Sequence, residues 1–243
     1  MTVHTACQPA SIMDRETASS DGFSAALSAA ATGAGLRKTE RTRLRLLAAT
    51  AARLEAGEEH AALRVCDIAG AAGVAHGTFY RYFVDRRAVV EALVEDFTLF
   101  LRDRLGQVRD GEPGSRPRVR SATLAYVRLF RANTGLMRCL MDLGPESAGF
   151  RERFHALNRI WNGRVATSIA ARRSMMPGAS PVAPAAMLPT AYALGGMIDE
   201  FLNQAYLRRD PALAGLAADE NAVGDLLTEL WCRGAYGDEE AEC

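Results

Sequence analysis

From Thr39 onward the apolar positions Leu44, Leu47, Ala48, Ala51 and Leu54 recur at three- and four-residue steps, with Arg41, Arg45 and Arg53 on their flanks. That spacing predicts an amphipathic helix ending at Gly57. Two shorter helices are expected over about 64–71 and 75–82, followed by a longer one. Asp85 is placed to cap that longer helix, whose apolar stripe is Val89, Val90, Leu93, Phe97, Phe100 and Leu101. The segment GEPGSRP, Gly111 to Pro117, reads as a loop and the clearest break in the chain. Further helices are expected at about 117–132, 134–143, 147–175, 186–208 and 219–234, with the Pro-rich loop Pro177 to Pro184 between the third and fourth of them. No stretch sustains a period of two between hairpin turns, so the expected class is all-α.

Ahead of this pattern, residues 1–36 are small and polar, with Phe23 as their single aromatic and a low-complexity run from Ser24 to Gly35. Such a segment buries too little apolar surface to offset its ordering entropy, and a disordered leader is expected. The Ala-rich run follows Asp14, Glu16 and Asp21 rather than a basic stretch, which argues against an export signal. Met13 offers an alternative start. The expected division is a leader over 1–36, a three-helix domain over 37–84, a helical domain over 85–234 and an acidic tail over 235–243.

The stretch with chemical information runs from Val65 to Phe83, VCDIAGAAGVAHGTFYRYF. Ile68 and Ala69, Gly73 and Val74, and Phe79 and Tyr82 stand at the spacing of a helix-turn-helix. Ala69 lies where the next helix crosses, Gly73 where the turn requires positive φ, and Ile68, Val74 and Phe79 would fill the wedge between helices. His76, Gly77, Thr78, Tyr80 and Arg81 are then left facing outward. Two aromatic rings, a hydroxyl and cationic groups on so short a face suit phosphates and base edges better than plain solvent.

Charge at first argues the other way, because 29 Lys+Arg are balanced by 29 Asp+Glu. The balance is uneven along the chain: Arg37 to Arg87 holds ten basic residues against six acidic, and Asp219 to Cys243 holds one against eight. A basic DNA-facing end is thus offset by an acidic far end, expected to keep the protein from lying on DNA the wrong way round. No apolar run approaches the roughly 18 residues of a membrane span. The five cysteines are odd in number, far apart and without ligand spacing, so reduced thiols in a cytoplasm are expected and no metal or cofactor is implied. The motifs of the nucleophile elbow, zinc peptidases and phosphate- or dinucleotide-binding loops are absent from the sequence, and an enzyme is not expected.

Over Arg41 to Leu93 the sequence resembles the TetR/AcrR family of transcriptional regulators. The resemblance is carried by the first amphipathic helix, V-x-D-I-A-x-x-A-G-V (Val65 to Val74), G-T-F-Y-x-Y-F (Gly77 to Phe83), and Arg86 opening the fourth helix. It implies that Thr78 and Tyr80 grip phosphates, that Tyr82 and Arg86 anchor the far side of the groove, and that His76 and Gly77 lie against base edges, with Arg81 a further DNA-binding candidate. Arg64 would hold a phosphate if its side chain turns outward. The chain departs from the family at Leu63, Arg64 and Ala75, where hydroxylated caps are common. Arg37, Lys38, Arg41 and Arg43 are candidates for an arm on neighbouring phosphate.

The resemblance further implies a C-terminal ligand-binding and dimerisation domain. Tyr126, Phe130, Met137, Met141, Trp161, Met187, Tyr192 and Met197 spread aromatic and thioether groups over several helices and are candidates to line an apolar effector pocket, while His155 reads as a surface side chain. The segments at about 186–208 and 219–234 would pair two copies, Gly195 and Gly196 permitting close approach and Val223, Leu226, Leu227, Leu230 and Trp231 supplying an apolar side. The expected protein is a homodimeric repressor of a palindromic operator in double-stranded DNA. An activator of the same fold, and a small-molecule binder acting without DNA, remain as alternatives.

Overall fold

A computed structural model describes residues 21–146 and 148–237; Cys7 and the acidic tail beyond Gly237 lie outside them. The elements in order are α1 (Phe23–Thr32), α2 (Lys38–Glu55), α3 (Val65–Ala71), α4 (His76–Phe79), α5 (Arg86–Gly106), α6 (Arg116–Ala132), α7 (Thr134–Glu146), α8 (Ala148–Ser174), α9 (Leu188–Leu202), α10 (Ala214–Ala217) and α11 (Glu220–Tyr236). No strand occurs among the described residues.

The first helix corrects the expectation of a disordered leader over 1–36. Residues 1–20 are outside the described part, but Phe23–Thr32 is helical, with Phe23, Leu27 and Ala31 buried. Phe23 packs its ring 5.5 Å from Phe97 and 5.0 Å from Phe100. The start of α1 is clasped by Asn133 from the end of α6. Its Oδ1 accepts from the Phe23 amide at 2.7 Å, and its Nδ2 donates to the Asp21 carbonyl at 2.6 Å. The apolar area comes from a groove already present on the rest of the chain, so α1 needs little of its own.

With α1 packed along it, α2 buries more than one stripe: Leu44, Leu46, Leu47, Ala51 and Leu54 are all in the core. Asp85 caps α5 as expected, accepting from the Ala88 amide at 2.8 Å, and the whole apolar stripe from Val89 to Leu101 is buried. The GEPGSRP loop ends in the Ser115 cap of α6.

Antiparallel α6 and α11 are joined by a ladder of ion pairs: Arg116–Glu229 at 2.8 Å, Arg120–Asp225 at 2.5 Å and Arg131–Glu220 at 2.8 Å. Each exposed pair contributes only about 0–1 kcal/mol, but three in sequence fix the register of the two helices. Gly224 lets Leu124 approach, since a Cβ there would sit 3.1 Å from its Cδ1. Three of the eight acids of the C-terminal segment, Glu220, Asp225 and Glu229, are thus paired with α6, and Asp238, Glu239, Glu240 and Glu242 lie outside the described residues. Beyond α9 the chain makes a π-helical turn over Asn203–Leu207.

Candidate nucleic-acid interface

Ile68 and Phe79 are fully buried and Ala69 nearly so, placing α3 and α4 in contact across the turn. Gly73 sits in that turn at φ 64, in the left-handed region that favours glycine. The Val74 amide closes the turn onto the Ala69 carbonyl at 3.0 Å. Val74 is half-buried and packs against the core. The α-helix expected over 75–82 is shorter: only His76–Phe79 is α-helical, and the chain continues through Arg81 and Tyr82 by tighter i→i+3 bonds. The short helix has no side-chain cap at Ala75, nor α3 at Arg64, matching the missing hydroxyls.

The face left open carries the expected groups. His76, Gly77 and Arg81 are exposed, Tyr80 is 50% exposed, and Thr78 and Tyr82 are half-buried beside them. An exposed tyrosine ring would ordinarily be mobile, yet Tyr80 is braced edge-on by His76 at 5.3 Å and by buried Phe79 at 5.5 Å. Two basic candidates are diverted. Arg86 donates to the Ala61 carbonyl in the turn before α3, which lies beside the start of α5, so it is not extended toward a groove. Arg64 keeps a 75% exposed side chain but turns its Nε onto Asp67 at 2.8 Å. Asp67 also meets Arg53 at 3.5 Å, and the hydrogen bond from Arg64 holds its carboxyl below the usual range.

Of the proposed arm, Arg37 pairs with Glu40 at 2.8 Å and caps α2. Arg43 turns inward to Asp96 at 3.3 Å with its guanidinium over Phe83, a correction to its reading as a free arm. Lys38, Arg41 and Arg45 make no ion pair among the described residues. Arg45 was not singled out by sequence, yet its guanidinium lies over the turn, where a Cβ on Gly73 would meet its Nη2 at 2.5 Å. Only folding could show this, because 28 positions separate the two residues.

The eight candidates for an effector pocket differ in their surroundings. Phe130 and Met137 are sealed in the core, Tyr126, Met141 and Met197 pack against that core, and Met187 packs on a second cluster built on α8, α9 and α11. Trp161 is half-buried, and Tyr192 is 40% exposed on α9. Aromatic and thioether side chains mark burial before they mark a cavity, which is why the sequence could not separate the two. Sequence also missed a polar pair among them. The Tyr126 hydroxyl on α6 donates to Asp199 Oδ1 on α9 at 2.7 Å. Crowding by protein pushes the Asp199 carboxyl above its ordinary range, although the residue keeps accessible surface. The Tyr126 hydroxyl is pushed well up by burial and by Asp199.

Two contacts link the helix-turn-helix to the C-terminal helices. The Glu55 carboxylate at the end of α2 accepts from the Gly135 and Leu136 amides opening α7, at 3.1 and 3.2 Å. Gly135 is required there, because a Cβ would be driven into the Leu54 carbonyl. The second link is α5 itself, whose first half packs under the helix-turn-helix and whose Phe97 and Phe100 meet α1.

Fold and face together define a helix-turn-helix domain on a larger helical body, the architecture of a one-component DNA-binding regulator. Residues 40–93 match the family described as "Bacterial regulatory proteins, tetR family", so the chain carries a helix-turn-helix domain of that family. It is 27% identical over 191 residues to the HTH-type transcriptional regulator EthR of Mycolicibacterium smegmatis, covering 78% of this chain and 84% of that protein. It is 29% identical over 126 residues to the nucleoid occlusion factor SlmA of Vibrio campbellii, covering 51% of this chain and 64% of that one. Among solved structures, a tetR-family regulator from Streptomyces coelicolor is similar with TM-score 0.61 and 17% identity, over 84% of this chain and 86% of that one. The regulator FadR from Bacillus subtilis, in complex with stearoyl-CoA, is similar with TM-score 0.57 and 15% identity, over 80% and 98%. No described helix is long and apolar enough to cross a membrane.

Proposed function

We propose that the protein is a ligand-responsive repressor that binds a palindromic operator as a homodimer. The observation that carries the reading is the braced face of α4, where Tyr80 and His76 stand exposed on a scaffold closed by Ile68 and Phe79. In this reading Thr78 and Tyr80 hold phosphates, His76, Gly77 and Arg81 meet base edges, Tyr82 flanks the groove, and Arg45 and Lys38 add charge beside the turn. Arg64 keeps its outward guanidinium nitrogens for phosphate while its Nε holds Asp67.

The second copy docks on α9 and α11, where Tyr192, Leu226 and Leu230 are exposed. Two recognition helices then reach successive major grooves on one face of DNA. An effector parting α6, α7, α8 and α9 around half-buried Tyr126, Met141, Trp161 and Met197 would displace α5 and the Glu55 contact with α7. Either shift alters the spacing of the two recognition helices, coupling effector to operator.

The test is a gel shift of the purified protein on its own upstream DNA. Replacing both Thr78→Ala and Tyr80→Ala is expected to weaken binding at least tenfold with the fold intact by circular dichroism. Equal binding by wild type and double variant overturns the assignment of the recognition face.

A further inference from the structure

The arginines at the far end of α5 differ from most of those on α6 and α11. Most arginines on α6 and α11 are matched to a carboxylate, as in the ladder of pairs joining those helices. By contrast, Arg102, Arg109 and Arg164 make no ion pair among the described residues. All three line one recess of about 320 Å³, open to solvent, between the last turns of α5 and the middle of α8. Leu99, Asp103, Gly106 and Gln107 complete its wall.

The Nε of Arg102, like that of Arg104, is buried without a hydrogen-bond partner, so at Arg102 it is the terminal nitrogens that are left for the recess. Arg109 is held toward the recess by its own backbone, donating to the Gly106 and Val108 carbonyls. Asp103, the one carboxylate in the wall, accepts from Gln107 at 2.8 Å.

One competing account is that these cations merely satisfy the end of a helix. A helix C-terminus carries only about half a negative charge, and with Asp103 included three guanidiniums still leave an excess of about one and a half positive charges. That excess faces a concave space at the lower end of the size of small-molecule sites, roughly 300 Å³. Guanidinium forks match the geometry of phosphate and carboxylate oxygens in pairs. Leu99, 45% exposed on the same wall, gives the recess an apolar edge beside its charge.

We infer that this recess is an anion-binding site for a small molecule bearing phosphate or carboxylate, gripped by Arg102, Arg109 and Arg164. The inference deepens the effector-responsive reading and rests on it only for the consequence at DNA. The recess lies at one end of a 21-residue helix whose other end, capped by Asp85, underlies the recognition helix. At 1.5 Å per residue that is a lever of about 30 Å. An anion that draws α8 toward α5 at the recess would shift the tilt of α5 beneath the helix-turn-helix.

Calorimetric titration of the full chain with inorganic pyrophosphate, at constant ionic strength, tests the site without DNA. Saturable one-to-one binding is expected for wild type, weakened at least tenfold by Arg102→Gln with Arg164→Gln. It should be unchanged by Arg208→Gln, which removes a cation elsewhere. Should the double variant fail to fold, Arg109→Gln alone is expected to weaken binding severalfold, Arg109 being exposed and held only by neighbouring backbone carbonyls. Absence of saturable binding, or equal weakening by Arg208→Gln, overturns the site. A parallel gel shift separates the two readings: pyrophosphate that binds the recess but leaves operator affinity unchanged upholds the site and removes its role as an effector site.

Discussion

Tyr126 and Asp199 lie 73 positions apart and meet at 2.7 Å, so no local pattern could have announced them. Their consequence is a pH dependence whose sign follows from the direction of the shift. Crowding raises the Asp199 carboxyl above its ordinary 3.8, so between that value and the raised one the folded chain keeps a proton that the unfolded chain has lost. The folded state is therefore penalised as pH rises through this window, and the penalty is constant above it. Asp199→Asn removes the titration while its amide oxygen still accepts from Tyr126. The melting temperature of the variant relative to wild type is expected to climb from about pH 4 and level off once the raised carboxyl is ionised. Parallel pH profiles would show that Asp199 titrates as in water. Gly73 was by contrast legible at once, because a turn needing positive φ at φ 64 leaves its mark on a single position.

At the scale of elements, long helices with bulky stripes were readable and small-residue helices were not. The stripe of α5 from Val89 to Leu101 predicted its burial residue by residue. In α1 the same information stands at Phe23, Leu27 and Ala31, one helical face in three residues, but the intervening alanines and serines dilute it below what a free segment needs. Its stability comes from α2, α5 and Asn133, which the local sequence does not contain. The recognition helix was overextended for a related reason, since its last turn is set by packing of Phe79 and Phe83 at 5.8 Å rather than by propensity. If α1 is an integral clasp, Phe23→Ala should destabilise the chain in urea by about 3 kcal/mol, in the usual range for deleting a buried ring. A dispensable leader would show a change within about 0.5 kcal/mol, as for ordinary surface substitutions. Phe23 also bridges α5 to α2, so the variant should report on the link between the two halves as well as on stability.

Over the whole molecule, the zero net charge conceals a division of labour that the fold makes plain. Three acids of α11 pair with arginines of α6, so much of their opposite charge cancels locally. The large apolar side chains exposed on the C-terminal helices include Tyr192 at 40%, Leu226 at 36% and Leu230 at 40%, on the adjacent helices α9 and α11. Single exposed apolar side chains need no explanation, but three on two neighbouring helices form a patch suited to a second copy across a two-fold axis. Replacing Leu226→Glu and Leu230→Glu places four like charges across such an axis in the dimer and adds the cost of desolvating them. Light scattering at micromolar concentration is expected to show a dimer for wild type and a monomer for the double variant. Leu99→Glu, 45% exposed on α5, introduces the same charge away from the patch and should leave the dimer intact. The monomer retains the braced face of α4, so it should bind a single half-site as wild type does and lose at least tenfold on a two-half-site operator. A dimer that survives both glutamates would move the subunit contact off α9 and α11, and the spacing of the recognition helices would have to be derived from another surface.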